Sequence, residues 1–146
     1  MAQAHVGGRV VGGRYVAAVY FVSACLYVVS CLLPATDIGG DFGPYLGLFH
    51  LLFGWVSGLK GLPAWSSNFV LWAGLVCLLL SRFRMAAVLG VTAALLGLTT
   101  LTSFKSDGMH AGYYVWQTSQ FVFAGGALTA CWMQRSSSPS TNRAGA

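Results

Sequence analysis

The sequence predicts an all-α integral membrane protein with four transmembrane helices and a short re-entrant or interfacial helix in the outer leaflet, both termini being cytoplasmic. Composition is the first reason. Of 146 residues, 56% are hydrophobic and only 8% charged, against about a quarter charged in an ordinary soluble domain. The second is the position of those charges: eight Lys or Arg and three Asp give a net charge of +5, yet almost all lie outside the long apolar runs. The third is the length of the runs themselves. Crossing ~30 Å of hydrocarbon takes about 20 apolar residues at ~1.5 Å each, and Tyr15–Leu33, Ala64–Ser81, Met85–Phe104 and Tyr113–Met133 meet that need without one Asp, Glu, Lys or Arg.

Residues 1–14 form a cytoplasmic N-terminal segment carrying Arg9 and Arg14. The stretch FVSAC, ending at Cys25, has the form of a lipoprotein cleavage site, but the apolar run continues beyond it where a cleaved lipoprotein turns polar. The run is therefore read as the first span. Next comes Tyr45–Gly58, which is apolar but short and carries His50. Charge bias decides its status. If it does not cross, Arg9, Arg14, Arg82, Arg84, Arg135 and Arg143 lie inside and only Lys60 and Lys105 outside; if it crosses, the cations divide evenly. The positive-inside rule favours the first arrangement. The aspartates Asp37, Asp41 and Asp107 then fall outside. Pro44 and Pro63 bound this segment, and its broad apolar faces favour partial burial among the spans. Residues 15–133 thus make one membrane domain, and the Ser-rich 134–146 a disordered cytoplasmic tail.

Association of helices in lipid depends on close approach and polar pairing, not on hiding apolar surface. The third span has small residues at Ala86, Gly90 and Ala94, continued by Ala93 and Gly97, and the fourth has Ala124–Ala127 and Ala130. Polar side chains gather at the outer ends: Ser66, Ser67 and Asn68; Thr99, Thr100, Thr102 and Ser103; Gln117, Thr118, Ser119 and Gln120. An antiparallel hairpin turning near Gly108 sets Thr100 level with Gln117 and Thr99 with Thr118. Two readings of this layer stand. The groups pair across helices and fix the bundle, or His50, Asn68, Thr100, Gln117 and Gln120 line an outward-facing vestibule lidded by Tyr45–Gly58. Trp55, Trp65, Tyr113, Tyr114 and Trp116 are read as outer-boundary anchors and Trp132 as an inner one.

Catalysis, cofactors and metals find little support. No nucleophile with a base, and no acid pair, assembles in a cleft. The four cysteines, Cys25, Cys31, Cys77 and Cys131, offer no C-x-x-C pair. The outer aspartates with His110 match no specific cation site, and a haem on His50 and His110 has no supporting motif. Eight dispersed cations exclude a nucleic-acid-binding face. The absence of carboxylates in the spans argues against ion-coupled transport.

The order LPA (Leu33–Ala35), GW (Gly54, Trp55), AW-x-x-N (Ala64, Trp65, Asn68), SRFR and GYY-x-W-x-x-S (Gly112–Ser119) resembles a group of small, uncharacterised bacterial four-span inner-membrane proteins over Leu33–Phe121, departing from it at Ser66, Ser67 and Phe69. The resemblance implies a bacterial inner membrane and the same topology, and no activity. The expected role is non-enzymatic: besides the lipid bilayer, the protein binds a partner in or at the outer face, such as another membrane protein, as an accessory subunit or an immunity protein. The alternative is a small transporter or channel subunit, which needs a homo-oligomer because the inner halves of the spans are apolar.

Overall fold

The computed structural model describes residues 3–36, 45–53, 62–103 and 109–136, with side chains from residue 12 onward, residues 102 and 103 excepted. These form α1 (Gln3–Leu32), β1 (Pro34–Thr36), β2 (Tyr45–Leu46), α2 (Gly47–Phe53), α3 (Leu62–Leu79), α4 (Phe83–Ser103) and α5 (Ala111–Ser136). Gly54–Gly58 of the interfacial segment, Asp37, Asp41, Lys60, Lys105, Asp107 and the tail from residue 137 lie outside the described residues.

Among the described residues, three helices are long and apolar enough to cross a membrane: Gly12–Leu32 in α1, Leu62–Leu79, and Phe83–Leu101 in α4. The helix of α1 begins at Gln3, so most of the expected N-terminal segment continues the helix behind it. Once a helix exists, each added residue gains a hydrogen bond without a new nucleation cost. At 26 residues α5 has ample length, but Gln117, Thr118, Ser119 and Gln120 dilute its hydropathy. Its glutamines do not face outward. Gln117, Ser119 and Gln120 are buried against the other helices, whereas Tyr114, Phe121, Leu128 and Trp132 are exposed.

The helices pack in the order α1, α5, α4, α3, each broadly against the next, while α1 and α3 meet only thinly across the remaining side. Small residues set the two tightest lines. Phe123 is fully buried, its ring beside Gly74 on α3 and Gly90 on α4. A methyl group at Gly90 would lie 3.0 Å from the Ala124 Cα and from the Phe123 ring. Ala86, Ala93, Ala94, Ala124, Ala127 and Ala130 are all buried, as the small-residue pattern leads one to expect.

The register between α4 and α5 differs from the expected one. Gln117 lies beside Ala94 and Gly97, with its Nε2 donating to the Ala94 carbonyl at 3.1 Å, instead of level with Thr100. The displacement is about one helical turn. Close backbone approach, Gly90 against Ala124, fixes the alignment. Thr99 and Thr118 donate instead to carbonyls of their own helices, those of Leu96 and Tyr114.

A two-stranded ribbon was not expected. β1 and β2 pair antiparallel, Pro34 with Leu46 and Thr36 with Tyr45, and Thr36 also bridges to Met109. His110 N donates to the Ala35 carbonyl at 2.9 Å, and Gly47 N to the Leu33 carbonyl at 2.9 Å. Backbone leaving a helix at the membrane edge must satisfy its polar groups, and the ribbon does this locally. It also ties the start of α5 to the end of α1. A methyl at Gly112 would meet the Pro34 carbonyl oxygen at 2.7 Å. At the opposite end, α3 turns into α4 through Ser81, held at a φ of 59°, with Arg82 N reaching back to the Cys77 carbonyl at 2.8 Å.

Candidate functional site

A cavity of about 100 Å³ lies at the end of the bundle that carries the ribbon. It occupies the space where α1 and α3 meet thinly. α1 contributes Tyr27, Ser30 and Cys31, α3 contributes Ala64, Trp65 and Asn68, and α4 contributes Thr100. From α5 come Gly112, Tyr113 and Trp116, and the cover is β1 with Gly47, His50 and Leu51 of α2.

The cover is fixed from three sides. The start of α2 rests on the last turn of α1, so closely that a methyl on Gly47 would collide with the Ser30 carbonyl oxygen. Only glycine fits there. Trp65 Nε1 donates to the Leu51 carbonyl at 2.9 Å, tying α2 to α3. His50 Nε2 and Thr36 Oγ1 share a 2.6 Å hydrogen bond. Leu48, Phe49, Leu52 and Phe53 point away from the protein. With no buried residue, α2 is a thin cover that is apolar outward and presents His50 inward.

Asn68 joins three helices. Its Oδ1 accepts from Trp116 Nε1 at 2.8 Å and from Tyr27 OH at 3.2 Å, while its Nδ2 donates to the Trp65 carbonyl at 3.1 Å. Tyr27 also meets Trp72 edge-on, the ring centres 5.4 Å apart. These two contacts of Tyr27 close the seam between α1 and α3 beneath the cavity. Ser30 Oγ donates to the Tyr27 carbonyl at 2.6 Å.

Two residues of the wall, Thr100 and Tyr113, are only 6% and 5% exposed, and their hydroxyl oxygens are sealed by packing with no partner among the described residues. Among the described residues, no lining residue is acidic, lysine or arginine. His50 does not supply a charge either, because burial lowers its pKa from the usual 6.5 and leaves it neutral at pH 7. The described wall is therefore uncharged and mostly aromatic and aliphatic. The opposite end of the bundle differs in kind: Arg82, Arg84 and Arg135 surround an exposed recess there.

Of the five vestibule candidates, His50, Asn68 and Thr100 line the cavity. Gln117 and Gln120 do not. They lie in the packed layer next to it, where Gln120 Nε2 donates to Ser67 Oγ at 3.1 Å. Both Oε1 atoms are buried without partners among the described residues, and a methyl at Gly97 would lie 2.5 Å from each. The aromatic belt divides as well: Tyr114 and Trp132 are exposed, as anchors should be, while Trp65, Tyr113 and Trp116 turn inward to the cavity. Tyr27, Ser30 and Cys31 were not among the candidates. Their signal was the helical spacing of Ser23, Tyr27 and Ser30, all buried on one face of an otherwise apolar span.

The described residues define an all-helical protein, its short ribbon aside, with three apolar helices compatible with an integral membrane protein. Comparison with protein-family models, with curated proteins and with solved structures gives no match.

Proposed function

We propose that this chain is a non-enzymatic multi-pass protein of a bacterial inner membrane that works by binding a partner through the cavity at its outer end. In this reading α5 is the fourth span, and both termini are cytoplasmic. The packing of α5 supports this, since its glutamines are buried and Phe121, Leu128 and Trp132 are exposed. So does charge, because Arg82, Arg84 and Arg135 sit at the end opposite the cavity.

The observation that carries the binding role is the cavity itself, walled by four helices and covered by α2, with a described lining that is mostly apolar and carries a few polar groups. Small-molecule sites are ordinarily concave and of this composition. Binding is favoured over conduction by the layer beneath: Leu71, Leu75, Leu78 and Phe123 are fully buried and fill the other half of the bundle. Catalysis is disfavoured because the wall contains no acid–base pair.

The test is native mass spectrometry of the full chain extracted from membranes in mild detergent. A bound mass, whether small molecule or protein, that is reduced in Ala64→Leu and Thr100→Leu variants, which add bulk to the cavity wall, is the expected result. Bare chain throughout, or a bound mass indifferent to both variants, would contradict the reading.

A further inference from the structure

We propose that the recess at the inner end of the bundle binds the phosphodiester headgroup of an anionic phospholipid, held by Arg82, Arg84 and Arg135, with the acyl chains lying against α4 and α5. This rests on the topology given above, which turns that end to the cytoplasmic leaflet, and not on the outer cavity. The recess is an open volume of about 350 Å³ where the turn between α3 and α4 meets the end of α5. Its wall holds the three arginines with Ser81, Met85 and Gln134, and among the described residues nothing acidic lines it. The sequence excludes an Asp or Glu from elsewhere as well. The chain has no Glu and three Asp, and Asp37, Asp41 and Asp107 lie one, four and two residues from Thr36, Tyr45 and Met109, all paired in the ribbon at the other end. At ~3.6 Å per residue at most, Asp41 comes no further than about 14 Å from Tyr45, whereas α4 alone spans about 24 Å from Thr100 to Arg84 at ~1.5 Å per residue. The tail 137–146 adds Arg143 and no Asp or Glu. No carboxylate side chain of this protein therefore balances the recess.

Helix geometry separates a structural use of these arginines from a binding one. A cation suits the C-terminal end of a helix and opposes the N-terminal end. Arg135 lies in the last turn of α5 and Arg82 just past the end of α3, so both have a structural use. Arg84 stands in the first turn of α4, which holds no acidic residue. There it destabilises its own helix, and an external anion offsets that cost. Arginine also meets phosphate with two parallel N–H donors.

The apolar part of the ligand follows from what continues below the arginines. On α4, Arg84 heads a line of exposed Val88, Val91 and Leu95; on α5, Arg135 heads exposed Trp132, Leu128 and Phe121. The spacings of three, four and seven keep each line on one helix face. Since α4 and α5 pack side by side and both arginines line the recess, both lines start from it. A phospholipid with its phosphate there lays its chains along them at the depth of its own leaflet, and a soluble anion has no use for them. Basic recesses on the cytoplasmic side of membrane helices suit such headgroups. A choline headgroup brings an ammonium that the arginines repel, which selects lipids of net negative charge.

The full chain, delipidated in a neutral detergent, is titrated with dioleoylphosphatidylglycerol, with zwitterionic dioleoylphosphatidylcholine and with inorganic phosphate, following thermal unfolding by tryptophan fluorescence. A saturable rise in melting temperature with phosphatidylglycerol alone is expected. Arg84→Gln or Arg135→Gln weakens that binding about five- to tenfold. Gln134→Glu, which keeps every arginine and adds a carboxylate to the wall, weakens it by a similar factor. Arg14→Gln removes the same charge from an exposed position on α1 outside the recess and keeps the parent affinity. Without lipid, Arg84→Gln melts at or above the parent temperature, a result that a structural arginine would not give. No saturable binding of phosphatidylglycerol overturns the proposal, as does equal binding of phosphatidylcholine or an equal loss in Arg14→Gln. A rise with inorganic phosphate as large as with the lipid assigns the recess to a soluble anion and overturns it too. Lipid binding with position 82 labelled from outside the cell leaves the headgroup site standing and overturns the topology; no binding with position 82 labelled only from inside overturns this proposal alone.

Discussion

Replacing Asn68 by Leu tests the joint on which the cavity depends. The change keeps an apolar volume similar to the amide but removes the acceptor shared by Trp116 Nε1 and Tyr27 OH. Interhelical hydrogen bonds of this kind in membrane proteins average about 0.6 kcal/mol and reach about 1.7. The larger cost lies in the two donors left behind, each buried orphan being worth about 1–3 kcal/mol. These quantities overlap, because losing the bond and orphaning the donor are one event, so the expected destabilisation is about 2–4 kcal/mol. The Trp116 bond, at 2.8 Å against 3.2 Å, should carry more of it. Reversible unfolding in mixed micelles, followed by tryptophan fluorescence, measures the loss. A double-mutant cycle then apportions it. Trp116→Phe should couple to Asn68→Leu by about 1 kcal/mol or more, and Tyr27→Phe by less. A loss under about 0.5 kcal/mol, or additive behaviour in both cycles, would refute the view that Asn68 holds α1, α3 and α5 together.

The cover and the small-residue lines make further predictions. Gly47→Ala should cost about 1–3 kcal/mol and loosen α2, seen as faster proteolysis near residues 47–53, since the added methyl meets the Ser30 carbonyl. Gly90→Ala should cost a similar amount in an unfolding titration, whereas Gly125→Ala, with nothing within 4 Å of the new methyl, should be neutral or stabilising by up to about 1 kcal/mol. His50 makes stability depend on pH with a definite sign. Its folded pKa lies below the ordinary 6.5, so the unfolded chain binds the proton first; stability is full above 6.5 and is lost as pH falls through the lowered folded value. Melting temperatures between pH 7.5 and 5 should therefore fall, and His50→Gln should flatten the profile.

Much of the bundle is legible in the sequence because lipid imposes length and excludes charge. The first three spans and the small face of α4 follow directly from that constraint. The register of α5 does not: matching polar to polar sets Thr100 beside Gln117, but the approach of Gly90 to Ala124 controls the alignment and moves Gln117 to Ala94. The ribbon also escapes, since strands of three and two residues are too short to show an alternation. At the site, His50, Asn68 and Thr100 are legible as polar groups at one depth. Depth alone does not give direction. Trp65, Tyr113 and Trp116 sit at the boundary as anchors do, yet turn inward, and only the packing of α1 reveals that Tyr27 reaches Asn68.

An outward-facing cavity in a bundle whose helices cross the membrane fixes which side each loop lies on. Single cysteines at Lys60 and Arg82, in a background lacking Cys25, Cys31, Cys77 and Cys131, are exposed in intact cells to a maleimide that cannot cross the membrane. Labelling is expected at position 60, and none at 82 until the cells are opened. Labelling of both from one side would mean that α3 does not cross, and the reverse pattern would turn the cavity toward the cytoplasm.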